Sequence, residues 1–334
     1  MRVVVAGASG MLGRYVVARL RGGHHDVVGL TRAGADRIGR ADGLTPTDYS
    51  LSSLVPLLDG ADAVVDLAAT RPLPGGTPDM TANVVTGAHL LQAAREAGVG
   101  TIVQTSSVSV YDPDAPRPLT EDSPTRPGTA YGLSKLTVER WAQLAEHAGT
   151  RVVSLRLSHL LGWPDGTGWL VSTYLRRAAA GEDLVVHEPL GPARDLLYAA
   201  DAARAVALAL TTPTARGPVN VAGPHLLTPA QLAQAVSETV GGRVVGGRPE
   251  WRHAPPRPTA EEVDTGRARE VLGFEPAFEV RDGLTGIAGV IARDGDAGTT
   301  GASPARTDGQ QHEDTGRSTH GEERAGAGRL RASG

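Results

Sequence analysis

The sequence predicts an α/β protein built on a doubly wound parallel sheet. Two observations carry that expectation. Short β-branched runs alternate with helical stretches over residues 1–162, and the helical stretches end at glycines. Strands that alternate with helices imply βαβ units, whose strands run parallel with helices packed on both faces. A glycine-rich turn also joins the first run to the first helical stretch, the place where such folds bind phosphate.

The elements follow in order. VVVAG (3–7) reads as a buried strand and leads through the glycine turn into MLGRYVVARLRGG, a helix that ends at Gly22 and Gly23. DVVGL (26–30) and AVVDLAA (63–69) read as the second and third strands. TANVVTGAHLLQAAREAGV is a helix stopped by Gly98, and TIVQTSS (101–107) the fourth strand. AYGLSKLTVERWAQLAEHAG is a long helix stopped by Gly149, before a fifth strand, RVVSLRL (151–157).

Beyond Gly162 the pattern loosens. Helical stretches near 167–180 and 228–240 flank DLLYAADAARAVALALT (195–211), which reads as a strand end and a helix returning to the sheet. HAPPRP (253–258) is proline-rich, and GRAREVLGF (266–274) a short helix. The division expected is a dinucleotide-binding domain over 1–162 with 191–212 returning to it. Residues 163–190 and 213–292 form a smaller, discontinuous substrate-binding region. From Arg293 to Gly334 the only large apolar residue is Leu330, so this tail is expected to be disordered. His312 and His320 lie in it and read as solvated.

Composition narrows the functions available. A net charge of −4 with no basic block argues against nucleic-acid partners. The absence of cysteine removes disulfides, thiolate metal sites and a cysteine nucleophile. Apolar runs fall short of a membrane span, and MRVVVAG does not read as a secretion signal, so a cytoplasmic protein without membrane partners is expected. No HExxH spacing suggests a metal site, and GASGM does not set Ser9 in a GxSxG hydrolase elbow. Of the 33 basic side chains only Lys135 is a lysine. Arginine elsewhere looks like the coding bias of a GC-rich genome, so surface arginines carry little weight.

Four motifs carry chemistry. In GASGMLG, Gly7 permits a tight turn, Gly10 lets a pyrophosphate approach, and Gly13 lets helix and strand pack closely. Ser9, Met11 and Leu12 share this turn and join the candidate cofactor-binding set. At the end of the second strand, where an NAD site places an acid on the ribose 2′-hydroxyl, stand Thr31 and Arg32. A hydroxyl beside a guanidinium suits a 2′-phosphate, which favours NADP over NAD. Tyr131 and Lys135 are spaced i, i+4 on one helical face. A free tyrosine has a pKa of about 10, and a fixed cation lowers it. An ammonium is compact and can also bond ribose hydroxyls, unlike arginine's planar fork. TSSVSVY (105–111) ends the fourth strand at the sheet's ligand-binding edge, where a serine could bond a substrate carbonyl.

Taken together, GASGMLG, LAAT, Asn83, SSVSVY, YGLSK and RDLLYAAD resemble the extended short-chain dehydrogenase/reductases, also called the NAD-dependent epimerase/dehydratase family, over about residues 1–290. The resemblance implies a Rossmann fold and a set of roles. Ser107 matches the family's catalytic serine, Tyr131 its acid/base and Lys135 its partner, both of the latter also touching cofactor. Ala68, Ala69 and Thr70 match the segment lining the dinucleotide. Asp48 and Tyr49 look like the pair that meets the adenine, and Asn83 matches a helix asparagine. Arg194 matches an arginine that binds substrate diphosphate in nucleotide-sugar members, and Arg252 or Arg257 is similar in kind.

The sequence also departs from the family. Asp66 replaces a frequent histidine, and Asp112 a glycine. LRLSHLLGW lacks the usual proline, and GTGWLVSTYL lacks paired asparagines, which puts nucleotide-sugar recognition in doubt. The leading expectation is NADPH-dependent reduction of a ketone on a sugar nucleotide or similar small molecule. The alternative is a nucleotide-sugar epimerase or dehydratase with tightly bound NAD, and a third reading is a non-catalytic dinucleotide sensor. The resemblance further implies a homodimer through the helices around 85–97 and 130–147.

Overall fold

The structure is a computed structural model that describes residues 1–32, 43–71, 79–147, 149–163, 170–186, 193–246 and 262–299. The chain runs β1 (Arg2–Ala6), α1 (Met11–Gly22), β2 (Asp26–Thr31), β3 (Leu44–Pro46), α2 (Leu51–Leu58), β4 (Ala63–Asp66), α3 (Thr81–Glu96), β5 (Thr101–Ser107), α4 (Ala130–His147) and β6 (Arg151–Leu157). It continues through β7 (His159–Leu161), α5 (Leu170–Ala179), β8 (Leu184–Val185), β9 (Arg194–Tyr198) and α6 (Ala199–Thr211). The last elements are β10 (Gly217–Val221), β11 (Leu226–Leu227), α7 (Pro229–Thr239), β12 (Val244–Val245) and α8 (Val280–Thr299).

Seven strands form one sheet in the order β10-β6-β5-β4-β1-β2-β3, and every pairing is parallel. Alternate residues of its strands feed two cores, as the two-residue period of a strand dictates. Val3, Val5, Val65 and Val103 face α1 and α6. Val4, Val64, Ile102 and Val152 face α2, α3 and α4. A third core joins α5, α7 and α8 to the small sheet β11-β9-β7. There the Thr228–Gln231 capping box, with Pro229 behind it, starts α7.

The five long strands and their helices stand where the sequence places them. Short strands were not legible, and three assignments move. β10 lies in the main sheet beside β6, although residues 213–292 were assigned to the substrate region. β9 belongs to the small sheet, while α6, which follows it directly, packs on the main one. α8 runs to Thr299, past the expected start of the tail at Arg293. The remainder of that tail, with Leu330, His312 and His320, lies outside the described residues, as do Arg252 and Arg257. No helix among the described residues is long and apolar enough to cross a membrane.

One buried ion pair fixes α4 against the sheet. Arg156 of β6 and Glu139 of α4 are each 3% exposed and meet at 2.8 Å, with a second arm at 3.1 Å. The remaining Arg156 donors reach the Tyr111 hydroxyl at 3.0 Å and the Glu121 carbonyl at 3.1 Å. Tyr111 in turn donates to Asn220 of β10 at 2.5 Å. Desolvation opposes the Arg156 charge, but Glu139 and then Tyr111 outweigh it and hold the guanidinium more firmly protonated than usual. A buried charge stripped of its partner is strongly destabilising, by about 3–5 kcal/mol. Glu139→Ala is therefore expected to lose about that much stability in urea unfolding. An unchanged midpoint would show that the pair does not anchor α4.

Candidate active site

The site lies at the carboxyl ends of β1, β4 and β5, where the chain order reverses across the sheet. Open α/β sheets bind ligands at such switch points. Gly7 ends β1 at φ +76°, and a Cβ there would stand 2.9 Å from the backbone of Leu67 and Ala68. A Cβ on Gly13 would stand 2.3 Å from the Gly7 carbonyl oxygen. Both positions therefore exclude a side chain by close approach of backbone. Gly10 differs: it is exposed, and its Cβ would meet only the Gly7 oxygen at 3.3 Å. Gly10 is the N-cap of α1 and supplies no side-chain cap, so the first-turn N–H groups stay available to a ligand anion.

The walls of this cleft are braced from behind. Ser9 and Thr31 share a hydroxyl–hydroxyl bond of 2.6 Å, with Thr31 buried. The Tyr49 hydroxyl accepts from the Gly7 N–H at 2.9 Å and donates to the Leu30 carbonyl at 3.3 Å. Tyr49 itself takes φ +60° and is buried, so its ring supports the glycine turn rather than facing the cleft. Asp48 accepts from Ser50 N–H at 2.8 Å and Ser53 Oγ at 2.7 Å, at the start of α2. These bonds hold its carboxyl down at about 2. Arg32 lies over the Tyr49 ring, 5.1 Å from its centroid, and donates to Thr86 Oγ1 at 2.6 Å. Arg32, Asp48 and Tyr49 rim one surface pocket between β2, α2 and α3.

Asn83 occupies the opposite wall. Its side-chain oxygen accepts from Thr70 N–H at 2.7 Å, and its amide donates to the Thr70 carbonyl at 2.9 Å and Ser134 Oγ at 3.3 Å. The side chain thus clamps the 67–70 segment between α3 and α4. Ala69 lines the cleft, whereas the Ala68 N–H is held by Asp66 Oδ1 at 2.9 Å. Burial raises the Asp66 carboxyl, opposed by the Lys135 charge.

Ser107, Tyr131 and Lys135 all line the same cleft as Gly7, Gly10, Met11, Leu12 and Gly13. Ser107 stands where β5 turns into a short 3₁₀ segment, accepting from Ser109 N–H and donating to Ser109 Oγ, both at 3.1 Å. α4 packs its first turn directly on this segment: a Cβ on Gly132 would lie 2.1 Å from the Ser109 carbonyl oxygen. Gly132 therefore sets how closely Tyr131 approaches the serines. Lys135 is buried and donates to the Thr105 carbonyl at 2.9 Å. Burial pushes the Tyr131 hydroxyl up, but Lys135 and then Arg71 outweigh it, so it lies below the ordinary tyrosine range.

A second, largely apolar cleft adjoins the first. Arg194 lines it, with Arg71, Ser109 and His159 among leucines such as Leu160 and Leu196. Arg71, Ser109, Gly132 and His159 carried no individual role in the sequence. Ser109 and Gly132 lie inside motifs that pointed to them, but Arg71 was discounted along with the other arginines. Asp112, a departure from the family pattern, pairs with Arg126 at 2.7 Å.

Comparison with known proteins gives the class. The chain matches the NAD dependent epimerase/dehydratase family over residues 3–222 and belongs to it. It is an enzyme of the NAD(P)-dependent oxidoreductase and epimerase kind. It is 27% identical over 313 residues to a UDP-glucose 4-epimerase of Mycolicibacterium smegmatis, covering 85% of this chain and 96% of that one. It is 31% identical over 251 residues to a 2'-dehydrokanamycin reductase of Streptomyces kanamyceticus, covering 72% and 67%. Among solved structures it resembles the UDP-N-acetylglucosamine 4-epimerase of Bacillus cereus, with TM-score 0.74, 28% identity and coverage of 87% and 99%. It also resembles MoeE5 in complex with UDP-glucose and NAD, with TM-score 0.73, 25% identity and coverage of 88% and 99%.

Proposed function

We propose that the protein is an NADPH-dependent reductase of a ketone carried on a sugar nucleotide or a similar small molecule. The observation that carries this reading is the convergence of Ser107, Tyr131 and Lys135 on the glycine-lined cleft, next to a second cleft that holds Arg194. The fit of a dinucleotide rests on the uncapped α1 N-terminus and on Gly7 and Gly13, where a Cβ would collide with backbone. Gly7, Ser9, Gly10, Met11, Leu12 and Gly13 would hold the pyrophosphate, with Ala68–Thr70 and Asn83 closing the wall. Asp48 and the Tyr49 backbone would meet the adenine.

Bound there, the reduced nicotinamide supplies the hydride that forms the new C–H bond. The protein's own residues do the rest. Ser107 and Tyr131 donate hydrogen bonds to the carbonyl oxygen and so stabilise the charge that develops on it. Tyr131 then passes its proton to that oxygen, and Lys135 steadies the phenolate left behind. Arg194 holds the substrate's anionic end. Thr31 and Arg32, in place of an acid, support NADP, and NADP supports net reduction because cells usually keep that pool reduced.

A second reading is a nucleotide-sugar epimerase with retained NAD. The match to the M. smegmatis epimerase over nearly its whole length favours it. The exposed apolar side chains Val85, Leu133, Trp141 and Leu144 on α3 and α4 support a homodimer through that face under either reading.

Two experiments test these assignments. Tyr131→Phe, assayed with a panel of ketones including keto-sugar nucleotides, is expected to lose at least about a hundredfold in kcat with the cofactor still bound. Full reductase activity in that variant would sink the mechanism. Titration with NADPH and NADH should show preference for NADPH, and Arg32→Ala should erase about tenfold of it, as one lost charge-assisted contact implies. Protein that purifies with inseparable NAD would favour the epimerase.

A further inference from the structure

Tyr131 is flanked by two cations, and only one of them lies on its own helix. Lys135 stands one turn further along α4, with its ammonium tied to the Thr105 carbonyl. The other is Arg71, which follows the 67–70 segment. Its guanidinium carbon lies 5.7 Å from the centre of the Tyr131 ring, within the range of a cation–π contact. Its charge, after that of Lys135, favours the ionised phenol.

Two further facts set Arg71 apart from a surface arginine. It lines both the glycine-lined cleft and the cleft that holds Arg194 and Ser109. Its neighbour Thr70 is gripped at both backbone groups by Asn83, which in turn reaches Ser134 on α4. The wall that delivers Arg71 is therefore bonded to the helix that carries Tyr131.

We propose that Arg71 is a further catalytic residue, a second cation that stands over the Tyr131 ring at the wall shared by the two clefts and stabilises its phenolate. The inference rests on the reading of Tyr131 as the acid–base group. In reduction, the Tyr131 O–H bond breaks and its proton goes to the carbonyl oxygen, as hydride from the nicotinamide reaches the carbon. The charge left on Tyr131 then faces Lys135 on one side and Arg71 on the other until solvent returns the proton.

The sign of the pH dependence follows. Among the described residues, Lys135 from α4 and Arg71 from the segment after β4 are the charges that act on Tyr131, and Ser107 at the end of β5 shares their cleft. Asp66 is coupled to the Lys135 charge, and Ser109, Arg194 and His159 line the adjoining cleft. Removing Arg71 withdraws a stabiliser of phenolate, so Tyr131 should titrate at higher pH. The oxidative direction, which needs phenolate, should lose its acid limb to higher pH by the same amount.

The test is an ultraviolet titration of tyrosinate in the intact protein, with Tyr131→Phe subtracted to isolate Tyr131. Arg71→Met is expected to raise the Tyr131 midpoint by about one pH unit or more, as the loss of a neighbouring opposite charge does. Arg71→Lys should restore most of the difference. Below the midpoint, oxidative kcat in Arg71→Met should fall about tenfold for every pH unit by which the midpoint rises, with the KM for dinucleotide little changed. Should Arg71→Met fail to fold, Arg71→Gln is read in the same way. An unmoved midpoint in the uncharged variant, or no recovery with lysine, overturns the proposal. The titration needs no substrate, so it stays readable if the reductase reading fails. Loss of that reading is seen separately, as full activity in Tyr131→Phe.

Discussion

The bond from the Lys135 ammonium to the Thr105 carbonyl ties the centre of this molecule together. Thr105 lies in β5, inside the parallel sheet, and Lys135 in α4, which packs on it. The bond takes one of three ammonium donors, and Lys135 also lines the cleft. It brings a buried positive charge to the end of the strand from which Ser107 projects, one helical turn from Tyr131. Glycine turn, serine, tyrosine and lysine share a cleft because strand end and helix are joined here.

That bond needs a rigid frame, which buried polar contacts supply. Arg156 and Glu139 lock α4 to β6, and Tyr111 and Asn220 extend the lock to β10. Gly132 lets the start of α4 approach the turn that carries Ser107 and Ser109. On the other side of the cleft, Asn83 fixes the segment that presents Ala69 and Arg71. Tyr49 holds the Gly7 N–H from beneath. Most of these residues never face the cleft, yet they set where Ser107, Tyr131 and Lys135 stand.

Much of this was legible in the sequence. The long strands announced themselves because parallel strands buried on both faces read as near-continuous apolar runs. The shared cleft of the glycine turn, Ser107, Tyr131 and Lys135 was legible because the expected chemistry requires those residue types at those spacings. β3, with three residues, and β7, β8, β11 and β12 were not, since such short pieces have no periodicity to read. β10 was hidden by the Gly-Pro that opens it and by its distance from the other strands of its sheet. α2 carries Pro56 inside it, which masks a helix. Tyr49 and Asn83 were expected to meet the cofactor, but sequence alone did not reveal that their side chains bond the backbone behind the cleft. Arg71 was obscured for a compositional reason: in a chain rich in arginine, one more carries no signal until its neighbour is known to be Tyr131.

The central question is whether this position needs an ammonium rather than a positive charge alone. The most direct measurement is turnover by Lys135→Arg, compared with wild type on the same cofactor and ketone, with thermal unfolding followed alongside. The planar, longer guanidinium cannot take the compact place between the Thr105 carbonyl and the cleft. The variant should therefore keep its fold while kcat falls by about two orders of magnitude or more. Turnover equal to wild type would contradict the account and leave the chain's single lysine as an accident of composition.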